Sequence, residues 1–169
     1  MDELRKLLTL HEGRRRRPYY CTGGKRTIGV GWNMTDNPLP PLIQTHLTLR
    51  GYITDAMIDR LLDISIQRAT MDCQRLFRDF DEFSNNRRMA LVDLVFNLGA
   101  RRLSLGFPSL CRAVNAGDWQ RAADELKYVN GLTKTKLSAY WTQLHGDPDG
   151  QDDGRTVRPE RIYRMLADG

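Results

Sequence analysis

The chain contains no long apolar run. Although 40% of its 169 residues are hydrophobic, no stretch approaches the roughly 20 residues a helical membrane span requires. Cysteine is scarce. The three present, Cys21, Cys73 and Cys111, are odd in number and lack metal-ligand spacing, which argues against a disulfide framework and a zinc site. Cys73 and Cys111 fall in apolar-periodic segments and read as buried small hydrophobes. No cluster of His, Cys and Asp suggests a metal, and no cofactor is expected. The opening Met1-Asp2-Glu3-Leu4-Arg5-Lys6 lacks the apolar core and small-residue cleavage site of a signal peptide. It leads instead into an amphipathic segment, so the chain is expected to be made and folded in a cytoplasm without a membrane anchor. Internal repeats and low-complexity linkers are absent too. A chain of this length then makes one domain, or two small lobes sharing a core.

Acidic residues are the minority charge. Lys and Arg number 26 against 21 Asp and Glu, giving a net charge of +5 and a pI of about 9.3. Such a surface favours a polyanionic partner: nucleic acid, anionic lipid or a cell-wall polymer. Arg14-Arg15-Arg16-Arg17 is the densest basic patch. It reads either as a solvated edge beside a hairpin or as an attractor for a negatively charged wall. No zinc finger, helix-turn-helix or aromatic RNA-binding motif accompanies it, so nucleic acid is not the expected partner.

Asp2 to His11 reads as a helix, with Leu4, Leu7, Leu8 and His11 on one face and Gly13 ending it. Glu12 stands at the helix C-terminus, where the macrodipole is negative. A charged carboxylate is disfavoured there, which suits a general acid. A surface glutamate at a frayed end is the plainer alternative. Pro18 to Trp32 reads as two short strands around Gly23-Gly24. A three-residue loop, Gly23-Gly24-Lys25, would set Cys21 opposite Thr27. A two-residue Gly-Gly turn would set Cys21 opposite Arg26 instead. Gly29 and Gly31 within a strand suggest close approach of another chain or a ligand to the backbone.

Asn37-Pro38-Leu39-Pro40-Pro41 reads as a breaker and Leu42 to Gly51 as irregular. Thr54 is expected to cap a helix running to about Phe77. Ser84 caps another, apolar nearly all round and stopped by Gly99, which marks it as the buried core helix. Pro108 opens a short helix that Gly117 closes, and Asp118 caps the next, from Trp119 to about Tyr128. Trp119, Tyr128, Tyr140 and Trp141 read as core. Gly146 to Gly154 is an acidic loop without the closing glutamate of a calcium site. Thr156 is expected to cap a last helix with Pro159 in its first turn and Arg155, Arg158, Arg161 and Arg164 along it.

Eight residues separate Glu12 from Cys21, and five separate Cys21 from Thr27. With Glu12-Gly13, Tyr19 or Tyr20, and Thr27-Ile28-Gly29-Val30-Gly31, this pattern resembles the phage-type lysozymes, or endolysins, the lysozyme of T-even phages among them. The likeness continues through Gly51-Tyr52-Ile53-Thr54, Arg87-Arg88-Met89-Ala90-Leu91, Val95-Phe96-Asn97-Leu98-Gly99, Asp118-Trp119 and Arg158-Pro159-Glu160-Arg161.

The resemblance implies an α+β, mostly α, two-lobed lysozyme-like fold. A small antiparallel sheet belongs to its N-terminal lobe, about 13–55. An interlobe helix covers about 54–77. The helical C-terminal lobe covers about 78–169 together with helix 2–11, and the whole of 1–169 is one catalytic domain. It implies a muramidase that hydrolyses the β-1,4 bond between N-acetylmuramic acid and N-acetylglucosamine in bacterial peptidoglycan and so lyses a host. Glu12 matches the family's acid, and Thr27 a threonine near the catalytic water. Gly31, Trp32, Phe96, Asn97 and Ser109 match cleft-lining, substrate-binding positions, Trp32 standing where some members carry histidine. His11 and Arg161 match supporting positions, and Arg161 is expected to pair with Glu12.

Cys21 departs from the aspartate of many members, a recognised variant. Glycosidases of this kind use two carboxylates, one to protonate the leaving oxygen and one to activate water or attack the sugar. A thiol serves only as a thiolate, which neighbouring arginines, Arg26 included, would favour. Base, nucleophile and electrostatic stabiliser all stay open for it, with a water-orienting or base role shared with Thr27 preferred. Two other functions are consistent with these residues. A lytic transglycosylase cuts the same bond with a single essential acid. A basic wall-binding or membrane-disrupting protein would use its arginine-rich last helix on anionic lipid or lipopolysaccharide. A monomer is the default. The enzyme would wait in the host cytoplasm until the membrane is permeabilised.

Overall fold

The computed structural model describes residues 2–21, 23–144 and 158–169. The expectations for the acidic loop and for Thr156 lie outside these residues. The fold is mostly helical, with a small three-stranded antiparallel sheet near the N-terminus and helices after it, as expected. Contacts divide the chain into two compact units, Met1–Gln67 and Arg68–Gly169.

In the first unit, α1 (Asp2–Glu12) buries Leu4, Leu8 and His11. Gly13 follows at φ 72 and its N–H donates to the Thr9 carbonyl at 2.9 Å. The left-handed conformation that glycine adopts without a steric cost turns the chain out of the helix. This helix lies in the first unit. The sheet follows as β1 (Arg15–Tyr20), β2 (Arg26–Gly29) and β3 (Trp32–Asn33), in that spatial order. Three strands thus replace the two expected. Gly29 and Gly31, at φ 69 and 68, turn the chain back after β2. A Cβ on Gly29 would meet Ile58 only at ordinary van der Waals distance, 3.6 Å. Backbone conformation, rather than lack of room, therefore fixes glycine there.

The segment from Leu42 to Gly51 was expected to be irregular, and it is helical: α2 (Pro41–Arg50). The prolines that suggested a breaker sit at its start, where a missing N–H costs nothing and a fixed φ helps. Gly51 caps its end at φ 74, donating to the Leu47 carbonyl. Ile43 and Leu47 form the buried stripe, too narrow to stand out in the sequence. Thr54 caps α3 (Asp55–Leu76) through the Met57 N–H at 3.3 Å. The unit boundary falls within α3, between Gln67 and Arg68.

The start of α3 also accounts for much of the arginine run. Asp55 and Asp59 accept from Arg14, the latter at 2.6 Å, and Asp55 is also ion-paired with Arg16. Arg15 lies over the Tyr19 ring at 4.9 Å. Three of the four guanidinium groups are therefore engaged within the unit, which weakens the view of the run as a free attractor.

The second unit is helical. After a 3-10 turn (Phe80–Glu82), α4 (Asn85–Leu98) begins at Ser84, which accepts from the Arg87 N–H. Its Leu91 and Leu94 are fully buried, as befits the core helix. A helix missed in the sequence, α5 (Ala100–Gly106), precedes α6 (Pro108–Asn115) and α7 (Trp119–Lys127). It has one buried residue, Leu103, and so no periodic signal. Asp118 caps α7 through the Arg121 N–H. Tyr140 and Trp141 at the start of α8 (Ala139–Leu144) are core, each 5% exposed, whereas Trp119 and Tyr128 are half-buried.

The last helix, α9 (Arg158–Ala167), packs on α4 and α7. Arg158 was expected among its surface arginines. It is instead 2% exposed and donates through Nε to the fully buried Asp93 at 2.9 Å. Arg164 pairs with Glu160 one turn away. The strongly basic outer face that a membrane-disrupting helix needs is thereby reduced.

Candidate active site

β1 and β2 pair Tyr20 with Arg26 and Tyr19 with Thr27. Neither expected register is found. The Cys21 N–H donates to the Lys25 carbonyl at 3.1 Å, and the Gly24 N–H to the Cys21 carbonyl at 2.8 Å. The loop is therefore closed by Cys21 and Lys25. The slip from the three-residue-loop register is two residues, a whole side-chain period. Cys21 and Thr27 thus remain on one face, as diagonal rather than direct neighbours. Pro18, which has no N–H to give to a ladder, lies in the irregular stretch of β1 between Arg15 and Tyr19.

The thiol of Cys21 sits among hydrogen-bond donors. The backbone N–H of Lys25 is the largest influence and favours the thiolate. Slight desolvation opposes it, and the Gly23 N–H and the Thr27 hydroxyl add to the first effect. The pKa of Cys21 is thereby lowered below its ordinary value. The cause differs from that expected. Loop N–H groups hold the charge, not the arginines, because side chains alternate along a strand and Arg26 projects from the face opposite to Thr27.

Thr27 is 4% exposed, and its hydroxyl donates to the Lys25 carbonyl at 3.0 Å. A hydroxyl has one proton and two acceptor sites. Directed at Lys25, it leaves an oxygen lone pair for a neighbouring water or thiol. Rotated toward Cys21, it stabilises the thiolate. The other two thiols differ. Burial raises the pKa of Cys73 strongly and that of Cys111 to a lesser extent. Cys111 is half-buried rather than fully buried, with its sulfur 3.9 Å from the Leu103 carbonyl.

Alkylation separates the three thiols. Because the thiolate is the nucleophile, iodoacetamide at neutral pH is expected to modify Cys21 in the folded protein well before Cys73 or Cys111. Its rate should rise with pH around a midpoint below that of an ordinary thiol. In Thr27→Val the midpoint should move up. Mass spectrometry of the alkylated peptides across pH checks both. Equal labelling of all three thiols would contradict the assignment of Cys21 as the activated one.

Glu12 is half-buried at the last position of α1, at the approach to β1 in the same unit. His11 beside it is 2% exposed. Gly31 lies in the turn between β2 and β3. Trp32 is 4% exposed, and its indole N–H donates to the Asn37 carbonyl at 3.1 Å. The remaining expected site residues are on helices of the second unit. Phe96 and Asn97 lie in the last turn of α4. Ser109 lies in the first turn of α6, where its hydroxyl accepts from Arg112 at 2.9 Å. Arg161 is on α9. The first unit thus brings Cys21 and Thr27 together and holds Glu12 at the end of the helix that leads into the same sheet.

Residues 9–140 match the family model described as phage lysozyme. The pre-baseplate central spike protein Gp5 of Enterobacteria phage T4 is 26% identical over 131 residues. Those cover 69% of this chain and 23% of that protein, so the chain spans less than a quarter of that relative's length.

Proposed function

The chain belongs to the phage lysozyme family, whose lysozyme-type activity is the cleavage of peptidoglycan, and from that premise we propose that it is a muramidase. It hydrolyses the β-1,4 bond between N-acetylmuramic acid and N-acetylglucosamine, and in a phage it serves to lyse the host. Glu12 is the general acid that protonates the leaving oxygen. Cys21, as thiolate, and Thr27 orient and deprotonate the attacking water. The observation that supports this reading most is the donor-lined thiol beside the Thr27 hydroxyl, inside the span that matches the family.

The chemistry needs two groups of opposite readiness. Glu12 must enter the reaction with its proton, and the partner must enter without one. The loop N–H groups around Cys21 supply the second condition. Where the thiolate is the base, activity rises with pH through the pKa of Cys21, below the ordinary thiol value. In Cys21→Asp activity should be kept, with the rising limb moved to more acid pH, because an unperturbed aspartic acid loses its proton about 4.6 units below a thiol. Cys21→Ala should lose most activity, about 100-fold or more for a general base. Full activity in Cys21→Ala would return Cys21 to a small packing residue. Dye release from stained, purified sacculi measures all three, and a wild-type protein that releases no dye would overturn the reading itself.

A lytic transglycosylase is the second reading, favoured by one fact: the second position is a thiol rather than a carboxylate. Such an enzyme cuts the same bond without water. The Cys21→Asp result bears on it, since a transglycosylase gains nothing from a second carboxylate.

A further inference from the structure

Cys21 and Thr27 share one partner, the peptide unit between Lys25 and Arg26. Its carbonyl accepts from the Cys21 N–H at 3.1 Å and from the Thr27 hydroxyl at 3.0 Å. The Lys25 N–H, one peptide earlier, donates to the Cys21 sulfur. Whatever fixes this stretch therefore fixes both groups. A trans peptide is planar, and its N–H points away from its carbonyl. The N–H of the same unit, on Arg26, donates to the Thr35 hydroxyl at 3.3 Å. The unit is thus held from both sides, by Cys21 and Thr27 in front and by Thr35 behind.

Thr35 belongs to the turn after β3, and that turn is itself tied down. The Asn33 side-chain carbonyl accepts from the N–H groups of Thr35 and Asp36 at 2.9 and 3.2 Å, the local bonding that makes asparagine a turn residue. The Asn33 backbone carbonyl accepts from the Asn37 N–H at 3.0 Å, and the Met34 N–H donates to the Arg26 carbonyl at 2.8 Å. Asp36 then reaches the loop. Its carboxylate accepts from the Asn33 amide at 2.8 Å and is ion-paired with the Lys25 ammonium. A half-exposed pair of this kind contributes little to stability by itself. Its position gives it another use, because it anchors the residue whose backbone meets both Cys21 and Thr27. The loop needs an anchor. Gly24 stands at φ 71, and glycine is the residue most free to change conformation. A rotation there would turn the Lys25 peptide and take the shared partner from sulfur and hydroxyl together.

We propose that Thr35 and Asp36 are positioning residues: their turn braces the Lys25–Arg26 peptide and so holds the Cys21 thiol and the Thr27 hydroxyl toward the same water. The consequence for cleavage rests on the muramidase reading.

On soluble glycan chains Asp36→Ala should lower kcat roughly tenfold with KM unchanged, since a misplacement of about 1 Å can cost about 100-fold. Lys25→Met, which keeps the backbone and removes the ammonium, should do the same. The double variant should be no worse than either single change, as expected for two ends of one interaction. Asp36→Glu keeps the charge and should recover most of the rate. Thr35→Val removes the acceptor at nearly unchanged size and should lower kcat to a similar degree. Glu82→Gln, which removes an exposed acid from the second unit, should change neither constant.

A readout independent of cleavage accompanies these rates. The pH midpoint for iodoacetamide labelling of Cys21 should rise toward that of an ordinary thiol in Asp36→Ala, Lys25→Met and Thr35→Val, and return in Asp36→Glu. The sign in Asp36→Ala is decisive. Removing a negative charge would by itself favour the thiolate and lower the midpoint, whereas loss of the brace raises it. An unchanged or lowered midpoint in folded Asp36→Ala, an unchanged kcat beside an active wild type, or losses that add in the double variant would overturn the proposal. A wild-type protein that cleaves no glycan while the midpoints move as expected would refute the muramidase reading and leave the brace standing.

Discussion

Glu12→Gln is expected to abolish wall cleavage while the protein stays folded. The amide has nearly the shape of the acid but no proton to give. General acid catalysis supplies roughly 10² to 10⁴ in rate, so a lysis assay should fall to near its background. The fold should tolerate the change. Glu12 is half-buried at a helix end, and glutamine keeps its size and an oxygen that accepts hydrogen bonds. Thermal unfolding beside turbidity clearing separates the two effects. Near-normal clearing by a folded Glu12→Gln protein would remove Glu12 from the acid role.

The second large effect concerns stability. Asp93→Ala is expected to destabilise the second unit by about 3–5 kcal/mol, because it leaves the Arg158 guanidinium buried without its carboxylate. The side chains are 0% and 3% exposed, so water replaces little of what is lost. For a chain of this size each kcal/mol moves Tm by about 2–4 °C, which gives a fall of roughly 6–20 °C. Arg158→Met should cost a similar amount, because it takes the paired guanidinium from the buried Asp93. The double change Asp93→Leu with Arg158→Met should recover much of it, since a buried ion pair often contributes little more than apolar groups of its size. Denaturation of the three variants tests this. A fall of less than 1 kcal/mol in the single variants would show that the pair is not the buried tie between α4 and α9.

Much of this was legible in the chain because caps and glycines are local signals. Ser84, Asp118 and Thr54 each accept from the N–H three residues on, as a capping residue should, and Gly13 ends α1 as read. What stayed hidden depends on partners distant in sequence or on weak periodicity. The prolines before α2 are helix starters only if a helix follows, and two buried residues do not announce one. The register of the β1–β2 hairpin was misplaced by two residues, because Gly23, Gly24 and Lys25 all tolerate turns. The same-face relation of Cys21 and Thr27 survived because that error was a whole period.

The buried pair of Asp93 and Arg158 was missed although a signal existed. Asp93 interrupts the run Ala90-Leu91-Val92 and Leu94-Val95. A carboxylate inside an all-apolar helix needs a cation, and the last helix begins with one. For the candidate site, the residue types were legible but the cause of the thiol's activation was not. It comes from loop N–H groups that carry no sequence signature.

The most direct test of the central claim is the mass of the soluble fragments released from purified peptidoglycan by the wild-type protein, with Glu12→Gln run beside it. Hydrolysis at muramic acid predicts fragments ending in reducing N-acetylmuramic acid, from the wild type alone. Fragments lighter by one water, ending in anhydro-muramic acid, would contradict hydrolysis and identify a transglycosylase, and reducing ends released equally by Glu12→Gln would contradict the assigned acid.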